Sequence, residues 1–337
     1  MRTERVAFAL DGRPTTIAEV FASAHLGGWI WASLVVPVME GLACRARAER
    51  TGVEVPPVEL EAALAAWHVD NKLKTPEEAA AALAFHELDV EDLGEYLARK
   101  VLRARFAAEI EDALAEAMIA PDEVIARVPE EAALNGSLPA VLNEAALRMA
   151  TGAGRSDTTR RAAERRKLVK EHDLTKPGVR EAMARTFGVA PDVVDWLVDL
   201  EAGYRARVRD VAREDALPRE LDAARGPLTT VEFAWAVFDT EGAARAAIAD
   251  PASVTWETEH ALAAGLASQQ ARAFVADAKV GEVTGPRQRG EKWIVHRVLG
   301  RREPRLTDAR VRRAVEKRLI DRALGPEVTR RITWEKF

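Results

Sequence analysis

The chain has 337 residues, of which 48% are hydrophobic and 31% charged, with a formal net charge of −5. That length points to two domains. The near-balanced charge leaves no electrostatic footprint for nucleic acid and argues against an anionic membrane surface as partner. A single cysteine, Cys44, excludes an intramolecular disulfide, and its apolar surroundings mark it as a buried, inert thiol.

The opening MRTERVAFALDGRP has too few apolar residues before Asp11 for a secretory signal, which needs roughly 7–15. A cytoplasmic location is therefore expected. Arg5 to Leu10 reads as a short strand and Asp11 to Pro14 as a turn. Thr15 or Thr16 can cap a helix starting near Ile17. The longest apolar run, Leu26 to Val38, is shorter than the ~20 residues that span a bilayer, and Glu40 follows. It reads as a buried helix, in a helical stretch ending at Gly52. Pro56 and Pro57 open the next helix, with Leu60, Ala63, Leu64 and Trp67 at helical spacing to about Asp70. Thr75 with Pro76 starts another. Asp89 opens a further helix, with helical character running to about Met118.

This pattern recurs. Asn71 to Leu97 can be laid over His172 to Val198 without a gap, matching Leu73 with Leu174, Pro76 with Pro177 and Leu93 with Val194. A duplication would give two similar helical units with a cleft between them. The segment Ala153 to Lys170 between the copies is basic and polar. It reads as an exposed loop and helix face, with binding of an acidic peptide as the sharper alternative.

Arg225-Gly226-Pro227 marks a change of character. Val231 to Phe238 is rich in strand formers, and Glu241 to Ile248 is a short Ala-rich helix. Helical segments are expected near Glu257 to Leu266 and Ser268 to Ala278. Val280 to Pro286 turns into a second strand, Lys292 to Leu299. After the polar GRREP, Val311, Val315 and Leu319 mark an amphipathic helix from Thr307 to about Ala323. RITWEKF closes the chain as a strand.

Taken together, VAFALDGRPTT, TGVEVPPVELEAAL and KLKTPEEAAAALAFHELDVEDL resemble the opening of the SurA/PrsA group of parvulin-linked chaperones. VGEVTGPRQRGEKWIVHRVLGRREP resembles the last segment of a parvulin prolyl isomerase domain. The resemblance covers about a hundred residues at one end and about 25 at the other. It implies a mainly α fold with a small α+β domain. The parts would be a SurA-like helical module over 1–225, a parvulin-like domain over 226–305, and a helix and strand over 306–337 returning to the module.

The departures bear on function. Where the family carries a histidine on its first parvulin strand, this chain has Trp235; where it carries a second, this chain has Ile294, with His296 two residues on. The Gly-Gly-Asp-Leu-Gly loop is missing. Turning an X-Pro bond means crossing a barrier of roughly 18–20 kcal/mol, and Trp and Ile cannot supply the polar grip that parvulins are thought to use. No catalytic residue is therefore assigned. The six histidines form no metal-ligand spacing, and no phosphate loop or nucleophile elbow is present, so no metal and no cofactor are expected.

The expected function is chaperone-like binding of an extended peptide or unfolded client. One variant is a precursor peptide, bound for its modifying enzyme during ribosomal peptide natural-product maturation. The competing reading is a divergent peptidyl-prolyl isomerase or a peptide-modifying enzyme on the same scaffold. Tryptophan is usually core but also the best peptide-contact residue. The expected contacts are Trp235, Phe238, Trp293 and Val295 around the parvulin-like site, with Trp29 and Trp31 on the long helix.

Overall fold

The computed structural model describes residues 3–28, 30–263, 266, 278–289 and 292–335. The chain is mainly helical, with two small antiparallel sheets, and divides into two units: Met1–Val208 with Leu324–Phe337, and Arg209–Ala323. The sequence placed the joins after 225 and 305. They fall elsewhere because Leu217, Ala224 and Leu228 pack on Val311, Val315 and Leu319, in one core that those joins would cut through.

The first unit begins with a hairpin of β1 (Val6–Leu10) and β2 (Arg13–Thr16). Asp11 and Gly12 both have positive φ, 49° and 86°, the geometry a two-residue hairpin turn requires. The last strand, β7 (Ile332–Trp334), pairs with the other edge of β1, and Trp334 stacks edge-on against buried Phe8. Thr16 then caps α1 (Ile17–Gly27) in a reciprocal capping box with Glu19.

The apolar run Leu26 to Val38 is broken rather than one buried helix. Gly28 takes a left-handed φ of 66° and ends α1, and α2 (Trp31–Thr51) starts afresh. Ala32, Ser33 and Val36 on its first turns are exposed.

Next come α3 (Pro57–Asp70), α4 (Pro76–Phe85), α5 (Val90–Arg105), α6 (Ile110–Glu116), α7 (Pro121–Leu134) and α8 (Leu138–Gly152). After them follow α9 (Thr158–Glu171), α10 (Val179–Phe187) and α11 (Pro191–Val211). The helix expected to run to Met118 ends at Arg105; one 3-10 turn separates α5 from α6. The α3–α4 and α9–α10 connections share a backbone course. Lys72 and Asp173 have φ of 58° and 54°, and the amides of Leu73 and Leu174 donate back to His68 O and Val169 O. The core of the unit gathers Phe8, Phe21, Leu134, Leu138, Met149, Leu168 and Leu197. Trp67 is part of it, its indole donating to Leu134 O at 2.7 Å.

In the second unit, α12 (Leu217–Ala223) and α13 (Arg225–Leu228) pack on the first turns of α15 (Ala309–Arg331), whose end belongs to the first unit. The sheet runs β4-β3-β6-β5, from β3 (Thr230–Phe238), β4 (Glu257–Leu262), β5 (Val283–Arg289) and β6 (Lys292–Arg302). Helix α14 (Glu241–Ala249) crosses one face.

The helix expected over Glu257 to Leu266 is instead the strand β4. Glu, Ala and Leu favour helix locally, but pairing with β3 from Thr230–Leu262 to Trp235–Glu257 overrides that preference. Glu257 and Glu259 stay exposed, as suits a charged edge strand. The helix expected over Ser268 to Ala278 lies outside the described residues, apart from Ala278.

Candidate functional site

Antiparallel strands alternate their side chains between two faces. In β3, Ala234, Ala236 and Phe238 therefore share one face, and Val231, Phe233, Trp235 and Val237 the other. The register pairs Phe238 with Trp293, Ala236 with Val295, Val237 with Ile294 and Trp235 with His296. Trp293, Val295 and Phe238 accordingly lie under α14, in a cluster with Ala236, Ala244 and Ala247. Trp235 lies on the opposite face, packed on Phe233 and Val298.

The structure thus does not bring Trp235 and Trp293 together: they occupy opposite faces. Val295 is 0% exposed, sealed beneath α14 with no surface left for a peptide. Phe238 and Trp293 are half-buried. Trp31 is half-buried too, in an aromatic cluster of the first unit with His25 at 5.0 Å and Phe187 at 5.6 Å between ring centres. Trp29 lies outside the described residues. In the basic segment, Arg165 bonds Asp199 at 2.7 Å and Glu164 is buried, while Arg160 and Arg166 are exposed.

What the sequence reading missed is an open strand edge. The amide of Ala263 donates to Thr229 O, so residues 229, 231, 233 and 235 direct their N–H and C=O groups toward β4. The ladder ends at Trp235–Glu257. Val237 is the next residue to turn its N–H and C=O to that side, beyond the start of β4. Its side chain is 45% exposed.

A cavity of about 690 Å³ opens along this edge. Trp235 and Phe238, both expected contacts, line it with Ala243, Ala246, Ala247 and Val254 as apolar walls, and Asp250, Ser253, Thr255 and Glu257 give a polar rim. Its size falls within the roughly 300–1,000 Å³ of ordinary ligand clefts. The Ala-rich face of α14 keeps side-chain bulk out of the space. The connection from α14 to β4 is tied down by Trp256, whose indole donates to Pro251 O at 2.9 Å. The sequence signal was present as alanines at 243, 246 and 247, which read as a helix but not as the wall of a slot.

The slot combines a strand edge and apolar walls with a rim of Asp250, Ser253, Thr255 and Glu257. On the face of Trp235, His296 sits opposite Thr284. Burial first, and then the charge of Arg287, hold His296 below the usual imidazole range, so it is neutral at pH 7. Among the described residues no group of three or more His, Cys, Asp or Glu could hold a metal ion. Among them, too, no single helix is long and apolar enough to cross a membrane.

No family model matches the chain, and no curated protein matches it. A solved structure of the SurA-like chaperones PEB4 and Cj1289 from Campylobacter jejuni aligns over 98% of this chain and 99% of that chain. The identity is 9% and the TM-score 0.20. At that level neither fold nor function passes from that structure to this chain.

Proposed function

We propose that this protein is a chaperone-like binder that holds an extended segment of an unfolded client as an added strand on the open edge of β3. The observation that carries the reading is the position of Val237: its main-chain N–H and C=O turn toward an apolar slot where β4 has not yet begun. Added strands take affinity from main-chain hydrogen bonds and specificity from pockets for alternate side chains. The slot offers both, with Phe238 and Val254 on its walls. The sequence resemblance to parvulin-linked chaperones agrees with a peptide-holding role. Trp235 and Ile294 in place of two histidines favour binding over isomerisation. We further propose a cytosolic, dedicated client, with a precursor peptide in ribosomal natural-product maturation as the specific case.

The test is fluorescence anisotropy of labelled extended peptides with alternating apolar residues, on the parent protein and on Val237→Pro. Proline removes the N–H that faces the slot, while the amides of residues 236 and 238, which serve the ladder to β6, remain. Saturable binding by the parent and its loss in Val237→Pro, with an unchanged far-UV spectrum, is the expected result. Equal binding by both proteins would overturn the reading.

A further inference from the structure

The second unit carries another cavity, at the opposite end of β3, and its chemistry is different. It has a volume of about 740 Å³ and lies between the ends of β3 and β6 and the first turn of α15. Arg301, Arg302, Arg305 and Arg310 line it, with Glu303 and Asp308 as the acids.

Both acids are already engaged. Asp308 accepts from the amides of Arg310 at 2.7 Å and Val311 at 3.3 Å, capping α15. Glu303 faces Arg225 at 3.6 Å. Arg301 is anchored by donating to Ala278 O at 2.7 Å. Arg302, Arg305 and Arg310 are exposed, and among the described residues none has a carboxylate within ion-pair distance. Elsewhere in the chain the guanidinium groups of Arg148, Arg207 and Arg331, for example, each meet a carboxylate. The two backbone hydrogen bonds that Asp308 accepts lower its carboxyl pKa, and Arg310 and Arg302 stand near enough for their charge to help. Yet the guanidinium groups of Arg302, Arg305 and Arg310 all keep donors free of contact ion pairs, a fork-shaped array suited to carboxylates.

We infer that this cavity is a second binding site, for an acidic peptide segment whose Asp or Glu side chains pair with Arg302, Arg305 and Arg310. The two acids in the lining disfavour a uniform polyanion such as nucleic acid and suit a peptide of spaced carboxylates. The inference is independent of the strand-edge slot, because it rests on charge rather than on main-chain bonding.

The test uses the full chain and a fluorescein-labelled peptide in which glutamates alternate with glycine and serine, at low ionic strength, where exposed ion pairs are least screened. Saturable binding is expected, with none for the same peptide carrying lysine in place of each glutamate. The triple change Arg302→Gln, Arg305→Gln and Arg310→Gln should weaken it about tenfold or more. Arg160→Gln with Arg166→Gln, on the basic face of α9, should leave it unchanged. The arginines concerned are exposed, so the variants keep the fold, and matching melting curves will check this. Three results would overturn the inference: no saturable binding, a loss that follows the α9 changes instead, or displacement of the peptide by equimolar inorganic phosphate, which would mark a small-anion site.

Discussion

A close backbone approach between two helices of the first unit gives a prediction with a large expected effect. Helices α8 and α11 meet at Gly152 and Gly203, both buried. A Cβ on Gly152 would lie 2.0 Å from Leu200 O and 2.7 Å from Leu200 C, and one on Gly203 would lie 2.4 Å from Gly152 O. Ordinary contact begins at 3.4 Å, so Gly152→Ala forces the two backbones apart by about 1.4 Å. No flexible side chain can yield there, because the opposing atoms are backbone. Met149, Val198 and Ala202, all 0% exposed, would lose contact as the helices part. Overpacking costs about 1–3 kcal/mol, and this rigid geometry belongs at the upper end, about 3 kcal/mol. For a unit of this size that lowers the melting temperature by roughly 6–12 °C, read by far-UV circular dichroism. Gly94→Ala is the counter-variant. Gly94 lies in α5 with nothing within 4 Å of its would-be Cβ, so it should gain about 0.5–1 kcal/mol. A Gly152→Ala protein melting within about 2 °C of the parent would refute the packing argument.

Further predictions follow from buried charge and from the site. His25 is held near a pKa of about 4 by burial and then by His172, against 6.5 unperturbed. The unfolded chain therefore binds the proton first as pH falls, and His25 withdraws stability between pH 6.5 and about 4, about 2 kcal/mol by pH 5. Urea titrations of the parent and His25→Phe at pH 7 and 5 should show this slope in the parent and lose it in the variant. Arg99, 2% exposed, faces Glu131 at 3.2 Å and Glu130 at 3.7 Å. Arg99→Met strands these carboxylates and should cost about 3–5 kcal/mol at pH 7. Burial raises both carboxyl pKa values even with Arg99 present. The folded variant therefore binds protons more readily than the unfolded chain, and part of the loss should return on acidification, the reverse of the His25 slope. Thr16→Ala removes the α1 cap and should cost about 1 kcal/mol in the same titrations. A protease-coupled assay on Xaa-Pro peptides should show no rate enhancement; an enhancement lost on changing Trp235 would favour the isomerase reading.

Local signals carried much of the fold. The Asp11-Gly12 turn, the caps at Thr16 and Asp89, the stop at Gly52 and the strands around Trp235 and Trp293 all rest on short-range chemistry legible in the sequence. Non-local effects were hidden. Glu257 to Leu262 is a strand because β3 is its neighbour, not because of its own residues. The separation of Trp235 from Trp293 depends on register, which their distance along the chain does not encode. Val295 looked available because strand patterning cannot say which face a helix will cover. The open edge at Val237 depends on where β4 starts, and that strand was not foreseen.

Residue-resolved hydrogen exchange at the Val237 amide, with and without a saturating extended peptide, bears most directly on strand addition. The neighbouring Phe238 amide, already directed into the ladder with β6, is the internal reference. Slowed exchange at Val237 with Phe238 unchanged is the predicted result. Peptide binding that leaves Val237 exchanging as fast as before would contradict it.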